Sequence, residues 1–279
     1  MDDKNLLSDW LIASDIDGTL NNKMRRLPER NEKAIAKFIS MGGKFTLASG
    51  RNPQSMEKHF KRLPIEGTPA IVINGAGLYD FQKQEMIWFS SMSDDGMNLA
   101  IEAAKKFPQV DVIVVAKDII YITGIGWFGN FFVASGNLKY KHIRNIEDVP
   151  KENWGKVIFS GIPFHITKVK KHFESMTDPD LTLMSSSVAS FEILAKNTHK
   201  GTALLKLAEI LGADKGHIGA IGDYFNDYDM LKSVGVPACC GQAPKELKDI
   251  SEFVTCHCNK GAVADFLEYI EKKSHNQYK

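Results

Sequence analysis

The sequence predicts an α/β fold: a Rossmann-like, three-layer core built on a parallel sheet, with a second α/β domain inserted into it. Short apolar runs alternate with amphipathic segments along most of the chain, as the strands and crossover helices of a parallel sheet do. Between residues 91 and 195 the order changes to helix, strand pair, helix, strand pair. Adjacent strands joined by a few polar residues are typical of antiparallel pairing, so this stretch is interpreted as the insertion.

The individual elements follow from this alternation. Buried core strands are predicted at residues 11–14, 44–48, 70–74, 217–221 and 234–239. Core helices are predicted at residues 29–41, 53–63, 201–211, 225–233 and 261–272. In the insertion, helices are predicted at 94–106 and 164–175, and strand pairs at 112–116 with 119–123 and at 181–184 with 191–194. The expected domains are residues 1–84 and 191–279 for the two parts of the core and 85–190 for the insertion.

Bulk composition excludes some classes of function. The 35 Lys and Arg residues against 34 Asp and Glu leave a net charge of +1, so neither nucleic acid nor an anionic membrane is expected as a partner. An anionic ligand would have to be held by a local site. The N-terminus is polar and acidic, and the first apolar run, about six residues, is too short for a signal peptide or a membrane span. A cytoplasmic protein is therefore expected.

Four cysteines, Cys239, Cys240, Cys256 and Cys258, lie close together late in the chain. In the cytoplasm they would stay reduced, and they are interpreted as small buried hydrophobic residues. Zinc binding is the alternative, although the cluster contains no Cys-x-x-Cys pair.

The most informative stretch is the end of the first predicted strand, where an apolar run stops at Asp15-Ile16-Asp17-Gly18-Thr19-Leu20. In an extended backbone, residues i and i+2 point to the same side, so Asp15 and Asp17 leave the strand end together. Their charges repel unless a cation lies between them.

Further polar groups fall where ligands of open α/β sheets bind, beyond the carboxyl ends of the strands. Ser49-Gly50-Arg51 follows the second predicted strand, and residues 222–227 follow the strand at 217–221. Lys200 opens a predicted helix, where a cation opposes the helix dipole at a cost of roughly 0.3–1 kcal/mol. An anion bound at the same site would offset this cost, so a lysine at that position indicates an anion-binding site.

This combination suits phosphoryl transfer: three carboxylates (Asp15, Asp17, Asp223), the hydroxyl of Ser49 and the ammonium of Lys200. Mg²⁺ prefers oxygen ligands and bridges carboxylates to a phosphate oxygen. With the repulsion screened, Asp15 can attack phosphorus and form an aspartyl phosphate. Asp17 can protonate the leaving oxygen and later deprotonate the attacking water.

The residues are similar to four motifs of the haloacid dehalogenase superfamily, and nearly the whole chain resembles its Cof-like branch with a type IIB cap. The motifs stand in order at residues 15–20, 49–51, 200–201 and 222–227, and Asn74-Gly75-Ala76 also matches that branch. The resemblance implies that Asp15 is the nucleophile and a Mg²⁺ ligand. It also implies that Asp17 is the acid/base and offers its backbone carbonyl to the metal, and that Asp223 is the remaining protein ligand.

The resemblance has implications for the other positions as well. Asp227 would act on the metal through water or by orienting Lys200, and Ser49 and Lys200 would hold the transferring phosphoryl oxygens. Substrate binding is expected at Gly50, Arg51, Asn74, Gly75 and Asn226. For Arg51, pairing with a neighbouring carboxylate is an equal alternative. The inserted domain would close over the site and choose the substrate.

Two features depart from the family pattern, and one further motif offers an alternative. Cys239-Cys240 follows a predicted strand where the branch usually has a plainer apolar run. Tyr224 and Phe225 place two bulky aromatic residues in the fourth motif, which could narrow the crevice. Residues 124–129 fit the dinucleotide fingerprint Gly-x-Gly-x-x-Gly, with Glu147 further on as the acidic residue. The true fingerprint follows the first strand of a βαβ unit, whereas this one follows an expected antiparallel strand. The aromatic residues there, Trp127, Phe128, Phe131 and Phe132, are interpreted as the apolar face of a helix.

The expected function is therefore a Mg²⁺-dependent phosphatase that hydrolyses a small phosphorylated metabolite, a sugar phosphate or a phosphorylated cofactor, through an aspartyl phosphate. The expected assembly is a monomer or a weak homodimer. The alternatives are a phosphomutase on the same scaffold and a non-enzymatic sensor of a phosphorylated metabolite. The four motifs do not separate the phosphatase from the phosphomutase.

Overall fold

The computed structural model describes residues 5–123, 139–177 and 179–277. The chain divides into two compact units. Unit 1 comprises Met1–Gly50, Glu57–Glu85 and His199–Lys279, and unit 2 comprises Arg51–Met56 and Met86–Thr198.

The described strands, in chain order, are β1 (Leu11–Ser14), β2 (Lys44–Leu47), β3 (Ala70–Val72), β4 (Gly77–Asp80), β5 (Glu85–Phe89), β6 (Asp111–Ala116), β7 (Ile120–Thr123), β8 (Tyr140–Ile143), β9 (Trp154–Ser160), β10 (Leu181–Ser187), β11 (Ser190–Ala195), β12 (Ile218–Gly222), β13 (Val236–Cys239) and β14 (Phe253–Val254). The described α-helices are α1 (Glu29–Ser40), α2 (Pro53–Phe60), α3 (Asp94–Lys106), α4 (Pro163–Glu174), α5 (Lys200–Leu211), α6 (Tyr228–Lys232), α7 (Lys245–Asp249) and α8 (Ala262–Gln277).

Unit 1 is built on a five-stranded parallel sheet of order β14-β13-β12-β1-β2. All four residues of β1 are buried. Because successive strand residues point to opposite faces, both faces of the sheet are covered, which is the three-layer arrangement. Ser14 of β1 lies opposite Leu47 of β2 and Ile221 of β12, so the three strands end at the same edge.

Unit 2 contains a six-stranded sheet of order β10-β11-β9-β6-β7-β8, antiparallel except for the pair β7 and β8. Alternate residues of its central strand, Val157 and Phe159, share an apolar core with Val169 and Phe173 of α4. The same core includes residues of α3, so both helices pack on one face of the sheet.

Local signals explain several helix ends. The hydroxyl of Ser93 accepts a hydrogen bond from the backbone N–H of Gly96 and caps the start of α3. Gly212 ends α5 in the left-handed conformation, with φ of 64°.

The structure corrects several expected elements. The predicted strand at 70–74 ends at Val72, because Ile73, Asn74 and Gly75 all have positive φ and form a 3₁₀ turn. The predicted helix at 225–233 begins as a 3₁₀ turn, Phe225–Asp227, before α6. The strands β4, β5, β8, β9 and β14 and the helix α7 were not predicted.

The expected end of the insertion at residue 190 also differs from the division into units. Strand β11 pairs with β9 and β10, so it is part of the sheet of unit 2, and that unit continues to Thr198. The segment Arg51–Met56 is grouped with unit 2 as well.

Other expectations fall partly outside the described residues. Outside the described residues lie the fingerprint at 124–129 and the four aromatic residues within 127–132. The strand before the fingerprint, β7, pairs antiparallel with β6, as expected. No helix in the described ranges is long and apolar enough to cross a membrane.

Candidate active site

Asp15 lies directly after β1 and is almost fully buried, with 5% of its surface exposed. Its backbone N–H donates to the carbonyl of Ile221 on β12 at 3.0 Å, which continues the sheet pairing by one residue. Its own carbonyl accepts hydrogen bonds from the N–H of Leu20 and the hydroxyl of Ser14. These bonds fix the backbone of Asp15 at the strand end.

Gly18 allows the loop after Asp15 to approach Asp223 closely. It has φ of +86°, a conformation that favours glycine, and a Cβ there would lie 2.4 Å from Oδ2 of Asp223. The hydroxyl of Thr19 donates to Oδ1 of Asp223 at 3.2 Å. The role of Thr19 was not predicted, although a hydroxyl inside the first motif was a visible signal.

Lys200, the first residue of α5, is completely buried. Its Nζ donates to Oδ1 of Asp15 and to Oδ1 of Asp227, both at 2.7 Å. Burial disfavours the ammonium, but the two carboxylates outweigh it and raise the pKa of Lys200 above its usual value. The lysine therefore stays protonated at a helix start because two anions compensate the helix dipole.

Asp227 is buried and has hydrogen bonds to both carboxylate oxygens. Oδ1 binds Lys200, and Oδ2 accepts from the backbone N–H groups of Asp223 at 3.0 Å and Tyr224 at 3.3 Å. Of its two expected roles, this arrangement matches the orientation of Lys200. A Cβ at Gly222 would lie 2.4 Å from Cβ of Asp227, so that position leaves room only for glycine.

Asp15, Asp223 and Asp227 form an acidic cluster, each offering a carboxylate oxygen within 4.8 Å of the others. Against three carboxylates stands the single ammonium of Lys200, so full ionisation leaves two excess negative charges. Burial raises the pKa of Asp15 to about 8, in spite of Lys200, and raises the pKa of Asp223 to about 6. Among the described residues the three carboxylates therefore outnumber the positive charge that Lys200 supplies, and their all-oxygen donors fit a hard dication such as Mg²⁺.

Asp17 is not part of this acidic cluster. Its side chain is exposed, and its backbone forms a bridge with Asn21 across the loop. The structure thus separates the two aspartates of the first motif into one buried and one exposed carboxylate.

The second motif and the 3₁₀ turn after β3 lie against each other. Ser49 is buried; its N–H donates to Ile71, and its carbonyl accepts from the N–H of Asn74 at 3.0 Å. A Cβ at Gly50 would lie 2.7 Å from Oδ1 of Asn74, and a Cβ at Gly75 would lie 2.2 Å from the carbonyl of the residue before Lys200. The expected substrate residues of these segments are therefore brought together with the start of α5.

The remaining expected residues are placed as follows. Asn226 is half-buried in the turn between Asp223 and Asp227. Arg51 belongs to unit 2, where its guanidinium donates to the carbonyl of Ser55 at 3.4 Å.

All four cysteines are thiols rather than disulfides; Cys239, Cys240 and Cys258 are buried and Cys256 is half-buried. Among the described residues they do not form a group of three metal ligands, in contrast to the acidic cluster. Burial raises the pKa of each thiol, as expected for small buried hydrophobic residues.

Comparison with known proteins identifies the family. A family model of haloacid dehalogenase-like hydrolases matches residues 12–267. The chain belongs to this family. The family and fold class that the motifs and periodicity predicted are thereby confirmed, and the chain is a hydrolase.

Relatives of this hydrolase are named phosphatases. YwtE of Bacillus subtilis, a 5-amino-6-(5-phospho-D-ribitylamino)uracil phosphatase, is 28% identical, covering 93% of this chain and 97% of its own. The putative phosphatase YxeH of the same organism is 27% identical, covering 91% and 95%. A solved haloacid dehalogenase-like hydrolase from Bacteroides thetaiotaomicron matches with a TM-score of 0.82 at 20% identity, covering 94% of this chain and 99% of that one. That likeness shows the shared fold.

Proposed function

We propose that this hydrolase is a Mg²⁺-dependent phosphatase that hydrolyses a small phosphorylated metabolite through an aspartyl phosphate on Asp15. One observation carries the proposal: the buried ammonium of Lys200 lies 2.7 Å from an oxygen of Asp15 and 2.7 Å from an oxygen of Asp227. This contact fixes Oδ1 of Asp15, so Oδ2 is the oxygen for the attack. It also places positive charge beside the nucleophile, where an approaching phosphate would otherwise be repelled.

Two displacements at phosphorus complete the reaction. In the first, Oδ2 of Asp15 attacks phosphorus, the bond to the leaving oxygen breaks, and Asp17 gives that oxygen a proton. In the second, Asp17 takes a proton from water, the water oxygen attacks phosphorus, and the bond to Asp15 breaks. Inorganic phosphate and the regenerated Asp15 carboxylate result. The exposed position of Asp17 suits a group that must meet both the leaving group and water.

The surrounding residues bind and orient. Asp15 and Asp223 would hold Mg²⁺, together with the backbone carbonyl of Asp17 that the family resemblance implies. When bound, the ion supplies charge that neutralises the carboxylates and the phosphoryl group. Asp227 orients Lys200, and Ser49 and Lys200 bind the phosphoryl oxygens.

The substrate class is proposed by extension from the relatives. YwtE is named for a small phosphorylated compound, and we assign a sugar phosphate or a phosphorylated cofactor to this chain. Binding is assigned to Gly50, Arg51, Asn74, Gly75 and Asn226, and the choice among substrates to the inserted unit. We propose that the enzyme acts in the cytoplasm as a monomer or a weak homodimer.

A screen of phosphorylated metabolites, read as release of inorganic phosphate with Mg²⁺ and again with EDTA, tests the proposal. Asp15→Asn should abolish turnover while the protein stays folded, because the amide is a poor nucleophile of nearly the same shape; a cooperative thermal unfolding transition checks that the variant is folded. The matched control is Asp214→Asn, at a carboxylate that is 74% exposed, and it should keep full activity.

The outcomes separate the candidate functions. Near wild-type kcat in Asp15→Asn, or full activity in EDTA, would contradict the proposal. Dependence on a bisphosphate activator, with phosphate returned to sugar, would indicate a phosphomutase. Binding of a phosphorylated metabolite without any single-turnover phosphate release would indicate a sensor.

A further inference from the structure

The side-chain amide of Gln242 connects three separate segments at the edge of the acidic cluster. Its Nε2 donates to the carbonyl of Gly18 at 2.6 Å, and its Oε1 accepts from the backbone N–H of Cys258 at 3.1 Å. Gly18 lies against the carboxylate of Asp223, because a Cβ at Gly18 would be 2.4 Å from Oδ2 of Asp223. We infer that Gln242 is a positioning residue, which holds the loop after Asp15 in the placement against Asp223 that Mg²⁺ binding and catalysis require.

Both ends of the amide are hydrogen-bonded. A glutamine side chain has a carbonyl acceptor and an NH₂ donor group. Its carbonyl oxygen accepts from the N–H of Cys258, and its NH₂ group donates to the carbonyl of Gly18. Because the acceptor faces a donor and the donor faces an acceptor, the amide has a single satisfactory orientation. A side chain in this position acts as a fixed spacer between its partners.

The contact with Gly18 lies where the loop after Asp15 approaches Asp223. A Cβ at Gly18 would collide with Oδ2 of Asp223, and the neighbouring Thr19 donates to Oδ1 of the same carboxylate. Gln242 therefore binds the loop that carries the nucleophile at the point where this loop meets the carboxylate proposed as a metal ligand. This inference rests on the proposed function, since it takes Asp223 as a Mg²⁺ ligand.

The backbone around Gln242 is itself anchored. The N–H of Cys240 donates to the carbonyl of Gly222 at 3.0 Å, immediately before Asp223. The N–H of Gly241 donates to the carbonyl of Cys256 at 3.2 Å, and the N–H of Ala243 donates to Cys240 at 2.8 Å. The side chain thus reaches the loop after Asp15 from a fixed backbone, which is what a positioning role requires.

Two substitutions separate the donor contact from the acceptor contact. Gln242→Leu removes both hydrogen bonds. Gln242→Glu is nearly isosteric and keeps an acceptor for the N–H of Cys258, but as a carboxylate it loses the donor and places an oxygen against the carbonyl of Gly18. The matched control is Gln82→Leu, in an exposed turn of unit 1.

Each variant is measured by calorimetric titration with Mg²⁺ alone, by hydrolysis of 4-nitrophenyl phosphate, and by thermal unfolding. Residues that orient metal ligands typically change metal affinity or activity by about 10–100-fold when replaced. We expect Gln242→Leu to weaken Mg²⁺ binding at least tenfold, both Gln242 variants to lower kcat at least tenfold, and Gln82→Leu to match the wild type.

Several results would overturn the inference. Gln242 has no positioning role if Gln242→Leu keeps its Mg²⁺ affinity and kcat within twofold of wild type. A lower Tm in that variant would then show that Gln242 contributes only to stability. A normal kcat in Gln242→Glu would show that only the contact with Cys258 matters. If the wild-type chain itself neither binds Mg²⁺ nor releases phosphate, the proposed function fails instead, and the two failures are distinguishable.

Discussion

Replacing Lys200 by methionine would remove the buried ammonium and keep an unbranched side chain of nearly the same length. Lys200 is completely buried, and its Nζ lies 2.7 Å from one oxygen each of Asp15 and Asp227. Removing one partner of a buried ion pair typically destabilises a protein by about 3–5 kcal/mol, because the remaining charge is left uncompensated. For a chain of this size, that corresponds to a fall in Tm of roughly 6–20 °C.

The same substitution at the surface provides the control. Lys33 pairs with Glu29 at 2.7 Å, and both side chains are 75% exposed. Water screens an exposed pair of this kind and its contribution to stability is small, so Lys33→Met should lower Tm by no more than about 2 °C. The N–O distances are equal, so the burial of Lys200 and its second carboxylate partner account for the difference that we expect.

The loss of stability in Lys200→Met should also depend on pH. Without Lys200, the buried carboxylate of Asp15, whose pKa is raised even with the lysine present, binds a proton more readily in the folded chain than in the unfolded chain, so the variant gains stability as the pH falls. Thermal unfolding of the metal-free proteins, followed by circular dichroism at pH 5.5, 7 and 8, measures this. A Tm for Lys200→Met within 2 °C of wild type at pH 8 would refute the reasoning.

Three further predictions follow from the site. Asp17→Asn should lower kcat by about 10²–10⁴-fold through loss of proton transfer, and a loss below tenfold in steady-state phosphate release would contradict the acid/base assignment. Gly18→Ala should weaken Mg²⁺ binding in calorimetry, because its Cβ would lie 2.4 Å from Oδ2 of Asp223; unchanged affinity would show that the loop can move aside. The pKa values of Asp15 and Asp223 are raised, to about 8 and about 6, so the folded chain binds protons more tightly than the unfolded chain. The free energy of unfolding of the metal-free protein should therefore fall from pH 5 to pH 8. The decrease is at most about 1.4 kcal/mol per pH unit for each carboxyl. Denaturant titrations at several pH values, with and without Mg²⁺, measure this. Bound Mg²⁺ should make the free energy of unfolding depend less on pH. A metal-free free energy of unfolding that does not change with pH would contradict the prediction.

The parallel core was predictable because its signals are local. The strands β1, β2 and β12 are short apolar runs, and Asp15, Ser49 and Asp223 follow them within two residues. Parallel strands align their carboxyl ends, so the positions of these residues in the sequence were enough to predict that they lie at the same edge of the sheet.

Strand β9 was not predictable in the same way, although it is central in the sheet of unit 2. Its run is interrupted by Lys156, a charged residue with only 2% of its surface exposed. The charge is compensated by Glu192 on β11, at 3.0 Å. Such a pairing joins residues far apart in the chain, so no local pattern shows that a lysine there can be buried.

In the candidate site, too, contacts between distant segments were not predictable from the sequence. That Asp15 is buried while Asp17 is exposed depends on the tight turn through Gly18, and alternation along a strand had placed both on one side. Gln242 stands 19 positions after Asp223 and in no motif, and only the fold brings its amide to the carbonyl of Gly18. Contacts made by side chains of distant segments leave no periodic signal.

The three carboxylates of the acidic cluster have different amounts of freedom to bind a metal. Asp227 has both oxygens engaged, by Lys200 and by two backbone N–H groups. Asp15 gives one oxygen to Lys200, whereas Asp223 accepts a hydrogen bond from the neutral hydroxyl of Thr19. A neutral donor restrains a carboxylate without cancelling its charge, so Asp223 keeps more of its charge for a cation. The proposed metal affinity therefore depends most on Asp223 and on the loop of Gly18 and Thr19 that orients it, and Lys200 with Asp227 would serve the proposed nucleophile.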